Sequence, residues 1–275
     1  MAGRGNKKKK KELLRGLQVL LAVAAVVLLV ALSLPTPVDI GEATLPDPTL
    51  PPPEANPYDA ADFVYENGYL KCTAGESVLG IDVSAHQGTV DWEQVKAAGI
   101  EFVMIRVGYR GYRTPKIHED PYAQANYEGA KAAGLKVGAY FFSQAVHKFE
   151  AKTEAQFMLK VVADWELDMP LVYDWEYVND TARTSKMDAR TVTDCTKMFC
   201  EVIAAAGYQP MVYFNTHQAR EHLFLPELTD YPFWLAMYTD QMTYAYKVRM
   251  WQYTDQGKVP GISGNVDLNL WFPET

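Results

Sequence analysis

Leu171-Val172-Tyr173-Asp174-Trp175-Glu176 is a short apolar strand that ends in two acids, and the rest of the chain is best read outward from it. Side chains alternate along a strand, so Asp174 and Glu176 share one face, ~7 Å apart, while Trp175 packs away from them. Segments of the same kind recur at Val78–Val83, Phe102–Tyr109, Lys136–Ser143, Met211–Asn215, Phe233–Tyr238, Val248–Tyr253 and Val266–Trp271. Helical stretches near Asp91–Ala98, Pro121–Ala133, Lys148–Trp165 and Asp188–Ala206 separate the first five strands, and Gly99, Gly134 and Gly207 follow three of them as C-caps. This alternation predicts an α/β fold, a modified TIM-type barrel of the (β/α)5(β)3 kind whose last three strands are joined by loops. Ahead of it, residues 58–77 form a small appendage with a type I′ hairpin signal at Glu66-Asn67-Gly68-Tyr69.

In such a barrel, chemistry gathers at the C-terminal strand ends. Asp82 ends the first strand, Asp174 and Glu176 end the fourth, and Asp267 lies in the last. A lone Asp at a strand end is more often a helix cap than a catalyst. Four acids on three strands are harder to assign to capping alone. Crowded carboxylates raise one another's pKa and keep an acid neutral for protonating a leaving oxygen, as glycosidic cleavage requires. Tyr140, Phe142, Tyr213, Trp251 and Tyr253 fall on the same strand ends, where aromatic walls could stack on sugar rings, whereas Phe141 and Phe214 are expected in the core. No repeated D-x-D loop, CxxC or HExxH spacing occurs, so no metal and no cofactor are expected. The histidines His86, His118, His147, His217 and His222 form no spaced set and are expected to face solvent or cap helices. The absence of G-x-S-x-G disfavours a serine hydrolase.

The net charge of −8 is unevenly distributed: residues 1–15 carry seven basic groups against Glu12, residues 16–34 carry none, and residues 35–275 carry 19 basic and 33 acidic groups. An acidic domain repels phosphates, which argues against a nucleic-acid partner. Residues 1–12 read as a basic cytoplasmic segment and 13–34 as a transmembrane signal-anchor. Twenty-two helical residues span roughly 33 Å against a hydrocarbon core of about 30 Å, with the lysines inside. A cleaved signal peptide, with Ala31-Leu32-Ser33 at the cleavage site, is the competing reading, and either one exports the C-terminal domain. Residues 35–57 hold eight of the sixteen prolines and no aromatic residue, a linker that reaches up to roughly 70 Å if extended. Cys72, Cys195 and Cys200 cannot all pair, and buried free thiols are the expectation.

The ordered set Gly80-Ile81-Asp82-Val83-Ser84, Gln87-Gly88, Asp91-Trp92, Gly138-Ala139-Tyr140-Phe141-Phe142, Asp174-Trp175-Glu176, Met250-Trp251-Gln252-Tyr253 and Val266-Asp267-Leu268-Asn269 resembles glycoside hydrolase family 25, the Chalaropsis-type lysozymes. The resemblance covers about Val78 to Phe272. It implies an N-acetylmuramidase that cuts the β-1,4 bond between N-acetylmuramic acid and N-acetylglucosamine in peptidoglycan glycan strands. It also implies Glu176 as general acid, Asp174 as its partner at the substrate's 2-acetamido group, and Asp82 and Asp267 as the other cleft acids. Tyr140, Tyr213 and Trp251 match sugar-contacting positions. With the N-terminal segment, this places a monomeric domain outside a bacterial cell membrane, single-pass, or secreted if that segment is cleaved. A non-catalytic wall-binding barrel and a chitinase-like hydrolase are the alternatives. The reaction course stays open among retaining, inverting and substrate-assisted routes, with the last favoured by an acetamido substrate.

Overall fold

The computed structural model describes residues 47–273. The basic segment, the apolar stretch Leu13–Leu34 and the first half of the proline-rich segment lie outside the described residues. Among the described residues no helix is long and apolar enough to cross a membrane.

A hairpin comes first, β1 (Phe63–Glu66) and β2 (Tyr69–Cys72), turning through Asn67 and Gly68, both at positive φ as a type I′ turn demands. Eight strands then close a barrel. They are β3 (Val78–Val83), β4 (Phe102–Arg110), β6 (Lys136–Ser143), β7 (Leu171–Trp175), β8 (Pro210–Asn215), β9 (Phe233–Ala236), β10 (Met250–Gly257) and β11 (Val266–Trp271), with β5 (Ile117–Glu119) hung antiparallel on the end of β4. Five helices pack between strands: α1 (Trp92–Ala97), α2 (Ala123–Ala132), α3 (Lys148–Val161), α4 (Ala189–Ala205) and the short α5 (Thr216–Glu221). Asp91 and Asp188 cap α1 and α4 by accepting from Gln94 N and Thr191 N, and Gly99, Gly134 and Gly207 leave their helices at positive φ.

The barrel is as expected except for the direction of its last strand. Seven strands run parallel, whereas β11 is antiparallel to both β10 and β3. The connection from Lys258 to Asn265 is too short for the crossover that a parallel return needs, so the chain turns straight back. Short β5 and α5 carry too little periodicity to stand out in the sequence.

Alternation divides the core in two. Val78, Phe102, Met104, Val172, Met211, Trp234 and Met250 fill the barrel, while Ile81, Val103, Ile105, Phe141, Tyr173, Phe199 and Phe214 pack between strands and helices. Gly80 makes room inside: a Cβ there would stand 2.3 Å from the Phe102 ring. Arg110 leaves the end of β4 for the helix layer, where it donates to Glu154 of α3 at 2.5 Å and to the carbonyl of Glu150. The three cysteines are buried free thiols.

Among the described residues no helix covers β10 and β11, and the hairpin takes that place. Phe63 meets the Trp251 ring edge-on at 5.1 Å, and Tyr58 packs on Phe272 at 4.9 Å. Trp251 is therefore fully buried on the outer wall, its indole donating to Met237 O, and it does not line the cleft as its sequence context predicts. Tyr253 shares that outer face, and Gln252 between them points inward. The end of the linker is also part of the domain: Pro53 is buried, Ala55 bridges to Tyr246, and Glu54 pairs with Lys247 at 2.9 Å. Docking shortens the reach expected of a fully extended linker.

Because Phe63 is the hairpin's anchor on Trp251, Phe63→Ala is expected to cost about 3 kcal/mol in chemical denaturation. The variant should melt in one transition with the barrel rather than lose the hairpin separately.

Candidate active site

The cleft opens at the C-terminal ends of the parallel strands, where the inward positions change from apolar to polar. Asp82 on β3, Arg106 on β4, Tyr140 and Phe142 on β6, Asp174 on β7 with Glu176 just beyond it, Tyr213 on β8, Gln252 on β10 and Asp267 on β11 all line it. All four acids and three of the five aromatic residues expected there are thus brought together, Trp251 and Tyr253 being the exceptions. Asp267 arrives by a different path from the other acids. It is the second residue of its strand and would lie at the far end of a parallel β11; reversal sets it directly opposite Asp82 in the ladder.

Asp82 is 5 % exposed and is held by amides. Its Oδ2 accepts from Gln252 Nε2 and Asn269 Nδ2, both at 2.8 Å. Both amides are oriented by aromatic groups: Trp234 Nε1 donates to Asn269 Oδ1 at 2.8 Å, and the Tyr213 and Tyr238 hydroxyls donate to Gln252 Oε1 at 3.1 and 3.2 Å. An indole N–H can only donate, which fixes Asn269 with its NH2 group toward the carboxylate. Trp234 also packs edge-on against Tyr213 at 5.0 Å and Tyr140 at 5.9 Å, forming an aromatic floor.

Burial is the largest influence on every acid. It lifts Glu176 to about 7, with the charge of Asp82 adding to the effect. Asp267 rises to about 8 through burial, Asp82 and Asp255. Asp82 rises only to about 6, because its two amide donors favour the charged form. Asp174 is pushed well above the usual carboxylate range by burial, Glu176 and Asp82, and is pulled back in part by Arg106. Its Oδ1 is buried without a hydrogen-bond partner. Arg106 is itself held by Asp120, whose Oδ2 accepts from Arg106 Nε at 2.9 Å and from Ala85 N at 3.0 Å. Such a set keeps at least one carboxylic acid neutral near pH 7 beside ionised partners, as general-acid chemistry needs.

Several lining residues escape the sequence reading. Trp234 and Tyr238 follow the i, i+4 alternation of β9 and its extension, which was legible in Phe233-Trp234-Leu235-Ala236-Met237-Tyr238. Arg106 sits inside an apolar strand with no motif to mark it, and His86 reaches the rim from the loop after β3. The other histidines serve elsewhere: His147 caps α3 by accepting from Glu150 N, and His118 stacks on Tyr109 at 5.0 Å. Among the described residues no His/Cys/Asp/Glu group is arranged to hold a metal ion.

Comparison with known proteins finds relatives among lysozymes and autolysins. The autolytic lysozyme of Clostridium acetobutylicum is 29 % identical over 191 residues, covering 69 % of this chain and 54 % of that protein. The protein YegX of Escherichia coli K12 is 28 % identical over 225 residues, 76 % of this chain and 78 % of its own. Among solved structures, the modular autolysin LytC of Streptococcus pneumoniae superposes with a TM-score of 0.66 at 26 % identity, covering 76 % of this chain. This chain spans about half of LytC, 52 %. The bacterial lysozyme of Streptomyces coelicolor gives a TM-score of 0.58 at 25 % identity, with 73 % of this chain matched to 94 % of that one. Residues 81–262, from the Ile81 beside Asp82 to the turn before β11, match the model of glycosyl hydrolases family 25, and the chain belongs to that family.

Proposed function

We propose that this chain is a peptidoglycan muramidase, hydrolysing the β-1,4 bond between N-acetylmuramic acid and N-acetylglucosamine, with Glu176 as general acid. The observation that carries the reading is the pairing of two unlike acids at the end of β7. Glu176 lies beyond the strand, half-buried, with its carboxyl raised to about 7 and thus partly neutral at physiological pH. Asp174 lies within the strand, buried, with Oδ1 unpartnered toward the cleft. A buried acceptor without a donor is costly, and an amide N–H from the substrate's 2-acetamido group would satisfy it. That contact would turn the acetamido carbonyl toward the anomeric carbon while Glu176 protonates the leaving oxygen. The sugar's own carbonyl then acts as nucleophile and water opens the intermediate, with net retention. Asp82, raised least of the four and so largely ionised near pH 7, would stabilise the developing positive charge, and Tyr140, Phe142 and Tyr213 would supply sugar-facing walls above the Trp234 floor. Support also comes from the relatives, among them LytC, whose structure has been solved with a synthetic peptidoglycan ligand.

The N-terminal reading is part of the same proposal. Residues 13–34 would anchor the chain in a bacterial cell membrane with its N-terminus cytoplasmic, and the linker would hold the domain outside it as a monomer. Full-length protein should then sediment with membranes and resist a salt wash, whereas a chain lacking residues 1–34 should stay in the supernatant. A soluble full-length chain with an intact N-terminus would overturn the anchor.

Glu176→Gln is expected to fold normally and lose about 10³-fold in turnover on purified cell walls; near-wild-type turnover would remove Glu176 from the acid's role. In the wild-type enzyme turnover should fall as pH rises through about 7, because the acid must be protonated to donate. Asp82→Asn removes a neighbouring negative charge and should move that alkaline limb to lower pH. Release of reducing ends from peptidoglycan but not from chitin separates the reading from a chitinase-like one, and net inversion at the anomeric carbon would exclude the acetamido route.

A further inference from the structure

We propose that Gln144 and Gln218 are positioning residues that together fix the reach of Glu176 into the cleft, an inference that rests on Glu176 being the general acid. The strand ladder stops short of that residue. The last registered pairs of β7 are Trp175 with Ser143 on one side and Asp174 with Tyr213 on the other. Beyond them the carbonyls of Trp175 and Glu176 need other donors, and each neighbouring strand supplies one through the segment that follows it.

Gln144, directly after β6, donates from Nε2 to Glu176 O at 2.6 Å and to Ser143 O at 2.9 Å. Gln218, in α5 after β8, donates from Nε2 to Trp175 O at 2.5 Å. Carbonyl oxygens only accept, so both amides are forced to turn NH2 toward β7. Their other ends are tied down as well. Gln144 Oε1 accepts from Thr184 Oγ1 at 2.8 Å, and its backbone carbonyl accepts from Arg183, which is itself paired with Glu150 at 2.6 Å. Gln218 Oε1 accepts from Asn215 N at 2.7 Å. Both glutamines are essentially fully buried. The two side chains thus continue the ladder one residue past its end, on opposite sides, and hold the peptide that carries the acid. A catalytic group displaced by about 1 Å can lose about 100-fold in rate, so a clamp of this kind belongs to turnover rather than to substrate affinity.

Gln144→Ala and Gln218→Ala in the full chain are expected to lower kcat on purified peptidoglycan by about 10- to 100-fold while KM changes by less than about threefold. The conservative variants give a readout that a structural role alone would not. At about pH 5 the buried carboxyl introduced by Gln144→Glu or Gln218→Glu is protonated and can donate to the same carbonyl, so each should exceed its alanine counterpart in kcat. Should an alanine variant fail to fold, the glutamate variant at that site, compared with wild type at about pH 5 and about pH 8, carries the test: its activity relative to wild type should fall by at least about tenfold as the carboxyl ionises. Alanine variants with wild-type kcat, a kcat loss that neither glutamate variant recovers at about pH 5, or a glutamate variant indifferent to pH where alanine does not fold would each overturn the clamp. Glu176→Gln, measured alongside, keeps the two readings apart. If it retains turnover the general-acid assignment falls, and if it is inactive while the alanine variants turn over normally only the clamp falls.

Discussion

A barrel of eight strands closes here with its last strand reversed, and the site follows from that reversal. In a parallel return, Asp267 would lie at the closed end of the barrel and Asn269 would sit at a different height. Run antiparallel, β11 sets Asp267 across from Asp82 and brings the Asn269 amide onto Asp82 Oδ2. Gln252, on β10 one strand beyond β11, supplies the second amide from the same flank. One carboxylate is therefore held by the two strands on either side of the change of direction. Trp234, Tyr213 and Tyr238 extend the same network around the wall, so the polar layer is ordered before any substrate arrives.

Below that layer the barrel is apolar and rich in methionine, with Met104, Met211 and Met250 fully buried. Four carboxylates placed over such a floor cannot all be ionised cheaply. The structure grades them by their partners. Asp82 has two amide donors and rises least; Asp174 has an unpartnered oxygen and two acidic neighbours, and its carboxyl rises steeply. Arg106 moderates the cluster without neutralising it, because Asp120 already holds its guanidinium. The strain of crowded, buried acids is a cost in folding stability that suits a site where one proton must be ready to move.

Much of this was legible in the sequence, and the exceptions have physical causes. Strand alternation set Asp82, Tyr140, Asp174 and Glu176 on the cleft side because β3, β6 and β7 are regular strands, each followed by a helix. In β10 alternation sets Trp251 and Tyr253 on one face and Gln252 on the other, but it does not say which face turns inward. What the sequence does not show is that a two-stranded hairpin covers β10 in place of a helix, leaving a deep gap for Trp251 to fill against Phe63. Residues 58–77, which have no function readable from sequence, turn out to be that cover. The direction of β11 was hidden for a related reason: the length of a connection limits topology only once both strands are known to be neighbours. Gln144 and Gln218 carry no motif at all, since their role is to meet carbonyls that any sequence would present.

The unequal environments of Asp174 and Glu176 also explain why two acids two residues apart need not share a task. Asp174 is inside the ladder, hydrogen-bonded through its backbone on both sides, with a short side chain that cannot leave the wall. It can meet a group pressed against it but cannot follow a leaving oxygen. Glu176 is one residue past the ladder, with one more methylene and partial access to the open cleft. Freed of strand pairing, it would also be free to wander, and in the proposed role of general acid it would then lose the alignment on which rate depends. Side-chain amides at the end of β7 resolve that conflict: Gln144 and Gln218 hold the carbonyls of Glu176 and Trp175, which under the proposed assignment positions the proton of Glu176 through its backbone rather than through its carboxyl.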